Sequence, residues 1–141
     1  MSISQAELES LTRDIWTTMI GLDLVDALMA GGPGPGISSQ IEIQGDTEVA
    51  LRIDCSMELA RTIASRLFDM PPEEIEPELV LDAMSEMANV LGGHIKGMWP
   101  GAINLSLPQA WESSRDEPAA HEWSVANSYD SNDGQLMVRL G

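Results

Sequence analysis

The sequence predicts an α+β fold: two layers, with helices packed on one face of a mostly antiparallel sheet. Three observations carry that expectation. Apolar residues recur at helical spacing in some stretches and at spacing two in others, in the order helix, two strands, helix, helix, three strands. The strand-like runs are separated by short turn sequences. Hydrophobic residues make up 43% of the chain and charged residues 21%, the balance of a globular domain rather than a disordered one.

Ser4 with Glu7 fits a capping box that opens the first helix. Leu8, Leu11, Ile15, Met19, Leu22 and Leu28 continue it at helical spacing, and the run GGPGPG at 31–36 must end it. In SSQIEIQG, Ile41 and Ile43 alternate with polar neighbours. In TEVALRIDCS, Val49, Leu51, Ile53 and Cys55 share one face. A Gly-Asp turn joins the two as a hairpin. MELARTIASRLF, 57–68, is the second helix. Prolines close it, and Pro77 suits the first turn of the next. That third helix runs to WPG at 99–101. AINLSLPQAW follows as a strand with Ile103, Leu105 and Leu107 alternating, ESSRDEPAA is a loop, and HEWSVANSY and QLMVRLG are strands around the turn DSNDG. At 141 residues with no internal repeat or linker, residues 1–141 are expected to form one domain. Aromatic residues are only 4%, so aliphatics and the nine methionines must fill the core.

The third helix carries an unusual polar row. With Asp82 set at zero and about 100° per residue, Glu86 falls near 40°, Asn89 near 340° and Gly93 near 20°. Leu81, Met84, Met87, Ala88, Leu91 and Ile95 fall between about 140° and 260°, so the apolar face points away from the row. Asp82, Glu86 and Asn89 are thus expected to face solvent or a partner. Gly93, beside Gly92, costs about 1 kcal/mol against alanine in a helix interior. Either another backbone approaches there or the helix frays before Pro100.

Several function classes are excluded or weakened. A net charge of −16, with seven scattered Lys and Arg, argues against nucleic acid and anionic membranes as partners. One cysteine, Cys55, allows neither a disulfide framework nor a Cys-based zinc site, and its place mid-strand marks it as a small core residue. No basic and apolar leader and no membrane-length apolar run are visible, so a cytoplasmic location is expected. Asp82 and Glu86 are at most half a metal site, and no further ligand is visible. The glycine run lacks the Lys-Ser/Thr of a phosphate loop. Trp16, Trp99, Trp111 and Trp123 read as core or interface anchors.

The row Asp82-x-x-x-Glu86-x-x-Asn89-x-x-x-Gly93 resembles the (Asp/Ser)-x-x-x-Glu-x-x-Asn-x-x-x-Gly signature of the CheC/CheX/FliY family of chemotaxis phosphatases. The flanks NVLGGHIKG and PGAINLSLPQAW are similar to the family's Asn-Met-Ile-Ala-Gly-x-Ala-Lys and Ile-Ser-Leu-Pro segments. The single motif, the length and the element order resemble CheX more than the two-site CheC. Gly92 departs from the family's common alanine, and His94 from a small or amide residue. His94 lies near 120° on the wheel, off the row, and reads as a flank residue.

The resemblance implies a phosphatase acting on the aspartyl phosphate of a CheY-like response regulator. Asn89 would hold a water in line for attack. Glu86 would pair with the regulator's lysine and help hold Asn89. Asp82 would support docking, and Gly93 would let the helix sit close. The magnesium would belong to the regulator, so this chain would need no metal or cofactor of its own. The resemblance also suggests a homodimer. The alternative is a non-catalytic module that docks a response regulator or a flagellar-switch partner on the same fold.

Overall fold

The computed structural model describes residues 3–27, 33–113 and 122–141. Its sheet is seven-stranded and every pairing among the described residues is antiparallel. In chain order the elements are α1 (Gln5–Ile15), β1 (Val25–Asp26), β2 (Gly36–Gly45), β3 (Val49–Ser56), α2 (Met57–Phe68), α3 (Pro77–Met98), β4 (Ala102–Leu105), β5 (Gln109–Ser113), β6 (Val125–Ser131) and β7 (Gly134–Leu140). Across the sheet the order is β1-β6-β7-β3-β2-β4, with β5 also paired to β2. The α+β architecture is the one expected.

The core lies between the three helices and one face of this sheet. Alternation puts Ile37, Ile41 and Ile43 of β2 and Leu51, Ile53 and Cys55 of β3 into it, and Leu136, Val138 and Leu140 of β7 join them. Leu59, Ile63, Met84, Met87, Leu91 and Trp16 cover them from the helices, all fully buried. Cys55 is a core residue, and burial pushes its thiol up, with the charge of Asp54 adding to the effect.

Among the described residues, the opposite face carries charge and aromatic rings rather than helices. Asp54 accepts from Arg52 Nε at 3.1 Å, Arg139 Nη2 at 2.6 Å and Ser38 Oγ at 2.6 Å. Cross-strand pairing makes this possible, because Ser38 opposes Asp54 and Arg52 opposes Arg139. The Arg52 guanidinium lies 5.1 Å from the Trp111 ring centroid, and that of Arg139 lies 4.9 Å from Trp123. Two cations that look scattered along the sequence are therefore neighbours in the sheet. Trp16 is a core residue, Trp99 packs against the core's margin, and the other two indoles anchor this outer layer.

Two elements differ from the sequence reading. The capping box is present, with Ser4 and Glu7 exchanging both bonds, but α1 ends ten residues before position 25. A π-helical turn, Trp16–Ile20, resets the register, and Gly21 stops it in the left-handed region at φ 74°. Leu22 is buried beyond the helix rather than in it, and β1 then pairs with β6. Arg13 fixes the return by donating to the Leu24 carbonyl and pairing with Asp26 at 2.6 Å. Leu28, the first residues of the glycine run and the loop at 114–121 lie outside the described residues.

The single strand expected over 102–111 is two. β4 and β5 both pair with β2, and Pro108, which has no N–H to give a ladder, stands between them. Ser106 holds the break to β2: its amide donates to the Glu42 carbonyl at 2.9 Å, and its hydroxyl accepts from Glu42 N–H at 2.9 Å. Of the three residues expected to alternate inward, only Leu105 packs against the core. Ile103 is 65% exposed and Leu107 88%.

Candidate functional site

Helix α3 is buried along one whole face, and that packing defines the site. Pro77 opens it at the first turn, Glu78 suits the positive end of the helix dipole, and Lys96 suits the negative end. Val80, Ala83, Met84, Met87, Ala88, Leu91, Gly92 and Ile95 are all buried against the sheet and α2. A helix anchored along one whole face holds its other face at fixed positions.

That other face is the polar row. Asp82, Glu86, Asn89 and Gly93 are all exposed, as the 3.6-residue period requires. Along the axis they span about 16 Å. The side chains of Asp82, Glu86 and Asn89 make no hydrogen bond or ion pair with any described residue. The support expected from Glu86 to Asn89 is therefore absent here: residues three apart on a helix are neighbours, but these two do not bond. His94 is exposed and off the row.

The two glycines part company. A Cβ on Gly92 would stand 2.9 Å from Ile41 Cγ2 and 3.7 Å from Leu105 Cδ2, so Gly92 lets α3 press onto β2 and β4. A Cβ on Gly93 would meet nothing within 4 Å. Fraying does not explain Gly93, because the helix continues to Met98. No backbone of the described chain approaches it either. Its cost in helix stability has no return within the described fold.

The same wheel places Lys96 near 320°, on the edge of the row. It belongs to the flank NVLGGHIKG but was assigned no role, although its spacing from Asn89, two turns, was legible. Among the described residues no group of three or more His, Cys, Asp or Glu could hold a metal ion. No helix among them is long and apolar enough to cross a membrane.

The family model for chemotaxis phosphatase CheX matches residues 37–121, which include all but the first residue of the hairpin, α2 and all of α3. The chain belongs to the CheX family. No curated protein matches it in sequence. Among solved structures it is similar to a chain of the CheX–CheY–BeF3–Mg2+ complex from Borrelia burgdorferi, at 16% identity and TM-score 0.75, covering 99% of this chain and 97% of that one. Chemotaxis protein CheX from Vibrio vulnificus matches at 17% identity and TM-score 0.72, over 94% of each chain. A chemotactic CheC-like protein from Shewanella oneidensis MR-1 matches at 22% identity and TM-score 0.71, over 94% of this chain and 92% of that one. At such identities the structural likeness speaks for the fold. The CheX-family match is what includes the polar row.

Proposed function

We propose that this CheX-family chain is a phosphatase that hydrolyses the aspartyl phosphate of a CheY-like response regulator. The observation that carries the reading is the exposed, unbonded pair Glu86 and Asn89 on a helix whose opposite face is wholly buried. An acyl phosphate is already reactive. What a second protein adds is a water held in line with the phosphorus, and positioning of that kind needs no covalent step. An amide both donates to and accepts from a water, which suits Asn89. Glu86 lies one turn earlier and meets the regulator's lysine, fixing the register in which Asn89 arrives. Asp82 extends the docked row, and Gly93 leaves the partner's surface free to come close. The regulator brings its own magnesium, and the likeness to a chain of a CheX–CheY complex with that ion supports this partner.

The net charge of −16 bears on association rather than chemistry. A phosphorylation site is acidic too, so binding is slow at low salt and quickens as screening increases. We read the active form as a homodimer, since among the described residues the sheet ends in strands paired on one side only. Light scattering that gives a monomer at micromolar concentration speaks against this.

The test is phosphate release from a phosphorylated CheY-like regulator of the same organism, in magnesium, with and without the chain. Acceleration lost in both Glu86→Ala and Asn89→Ala supports the phosphatase. Binding without acceleration, across every cognate regulator, leaves the docking module instead.

A further inference from the structure

We propose that Lys96 is a specificity-determining residue: the cationic end of the docking row, which meets an acidic side chain on the regulator and fixes the direction in which α3 lies across it. The inference rests on the proposed function. Helix α3 is asymmetric in charge. Glu78, Asp82 and Glu86 occupy its first half, no acid follows, and Lys96 stands in its last turn. Lys96 is the only lysine in the chain. It is half-exposed and has no hydrogen bond or ion pair from its side chain to any described residue.

Geometry places the ammonium within the footprint. Side chains on a helix lean toward its N-terminus, so the Lys96 stem lies over the turn before it. That turn holds Gly92 and Gly93, and no side chain stands between the stem and Asn89. Glu86 and Lys96 are ten residues apart, a separation of about 15 Å along the axis. The fitting partner therefore offers a cation to Glu86 and an acid about 15 Å further on, beyond the phosphoryl group. A helix docked in reverse sets like charges together at both ends, which penalises that mode.

A cation in the last turn also suits the helix dipole. Stability and binding separate the two roles. The probe is a CheY-like regulator of the same organism loaded with beryllofluoride and magnesium, with binding measured over a salt series. Lys96→Gln is expected to weaken binding about fivefold at low salt, mainly through the association rate, and to steepen the rise of binding with salt, so that the gap to wild type closes as screening increases. Lys96→Arg is expected to restore both, and Lys96→Glu to weaken binding further. A wild-type chain that binds, with Lys96→Gln matching it at every salt concentration, overturns this inference alone. A loss in Lys96→Gln that follows its melting temperature, and that is the same at low and high salt, assigns the residue to the helix and overturns it too. A wild-type chain that neither binds nor accelerates hydrolysis for any cognate regulator overturns the proposed function and this inference together.

Discussion

The two faces of α3 differ in what holds each residue in place. On the inner face Gly92 lies where a methyl group would collide with Ile41, and the space it leaves brings the helix onto β2 and β4. On the outer face its neighbour Gly93 faces open space, and Asp82, Glu86 and Asn89 stand unbonded around it. Both glycines cost the helix about 1 kcal/mol against alanine. One cost is offset by packing and the other is not. The inner face is explained by contacts within the described chain, and the outer face makes none with it.

The sharpest test of that contrast is to damage each face separately. Leu91→Ala, on the inner face, is expected to destabilise the fold by about 3 kcal/mol. The proposed phosphatase activity should fall only in proportion to the unfolded fraction, which a denaturant titration run beside the assay will show. On the outer face, Asn89→Ala and Glu86→Ala are expected to slow phosphate release about 100-fold, in the range seen when a positioning or transition-state group is lost. Their melting temperatures should stay within a degree or two of wild type, since neither side chain touches the described chain. If either variant melted several degrees lower, the row would belong to the fold and the comparison would fail.

The glycine pair gives a smaller but more direct test. Gly92→Ala gains about 1 kcal/mol of helix propensity and loses about 2 kcal/mol to the clash with Ile41, a net loss near 1 kcal/mol. Gly93→Ala meets no atom, so it should stabilise the protein by up to about 1 kcal/mol while weakening regulator binding. Thermal melts and a binding titration of the two variants should move in opposite senses for Gly93→Ala. A more stable variant that binds normally would remove the reason given for Gly93.

The last effect expected concerns alkaline pH and tests the core apart from the site. Burial raises the Cys55 thiol above its ordinary 9.0 and, as the largest of several causes, the Tyr129 phenol from 10.0 to about 12. Between those values the folded chain keeps protons that the unfolded chain has released. Stability is therefore full below pH about 9 and declines as pH rises toward 12. A melting temperature flat from pH 8 to 11 would contradict this burial.

Most of the fold was legible because its signals are local. The capping box at Ser4 and Glu7, the hairpin of β2 and β3, and both later helices follow from spacing and turn residues within short windows. The misreadings share a cause. Leu22 keeps helical spacing from Met19, so periodicity ran on past Gly21, where a left-handed residue had already ended the helix. Ile103 and Leu107 keep strand alternation, but alternation does not say whether anything covers a face. The candidate row of Asp82, Glu86, Asn89 and Gly93 was readable in full from the helix wheel. Lys96 lay on the same wheel, within the flank NVLGGHIKG, but was given no role of its own, because a lysine near a helix end has an ordinary explanation.

The sequence by itself determined which residues form the row, since 3.6 residues per turn is a property of the backbone and needs no neighbours. It also determined the inner stripe of α3 by the same arithmetic. Only the tertiary structure decided which glycine serves the fold, because that depends on Ile41 and Leu105, far away in the chain. It likewise decided that Asp54 gathers Arg52 and Arg139 on the far side of the sheet, where register across β2, β3 and β7 brings distant charges within hydrogen-bond reach. Period is local and partners are not, and that difference separates what could be read from what had to be seen.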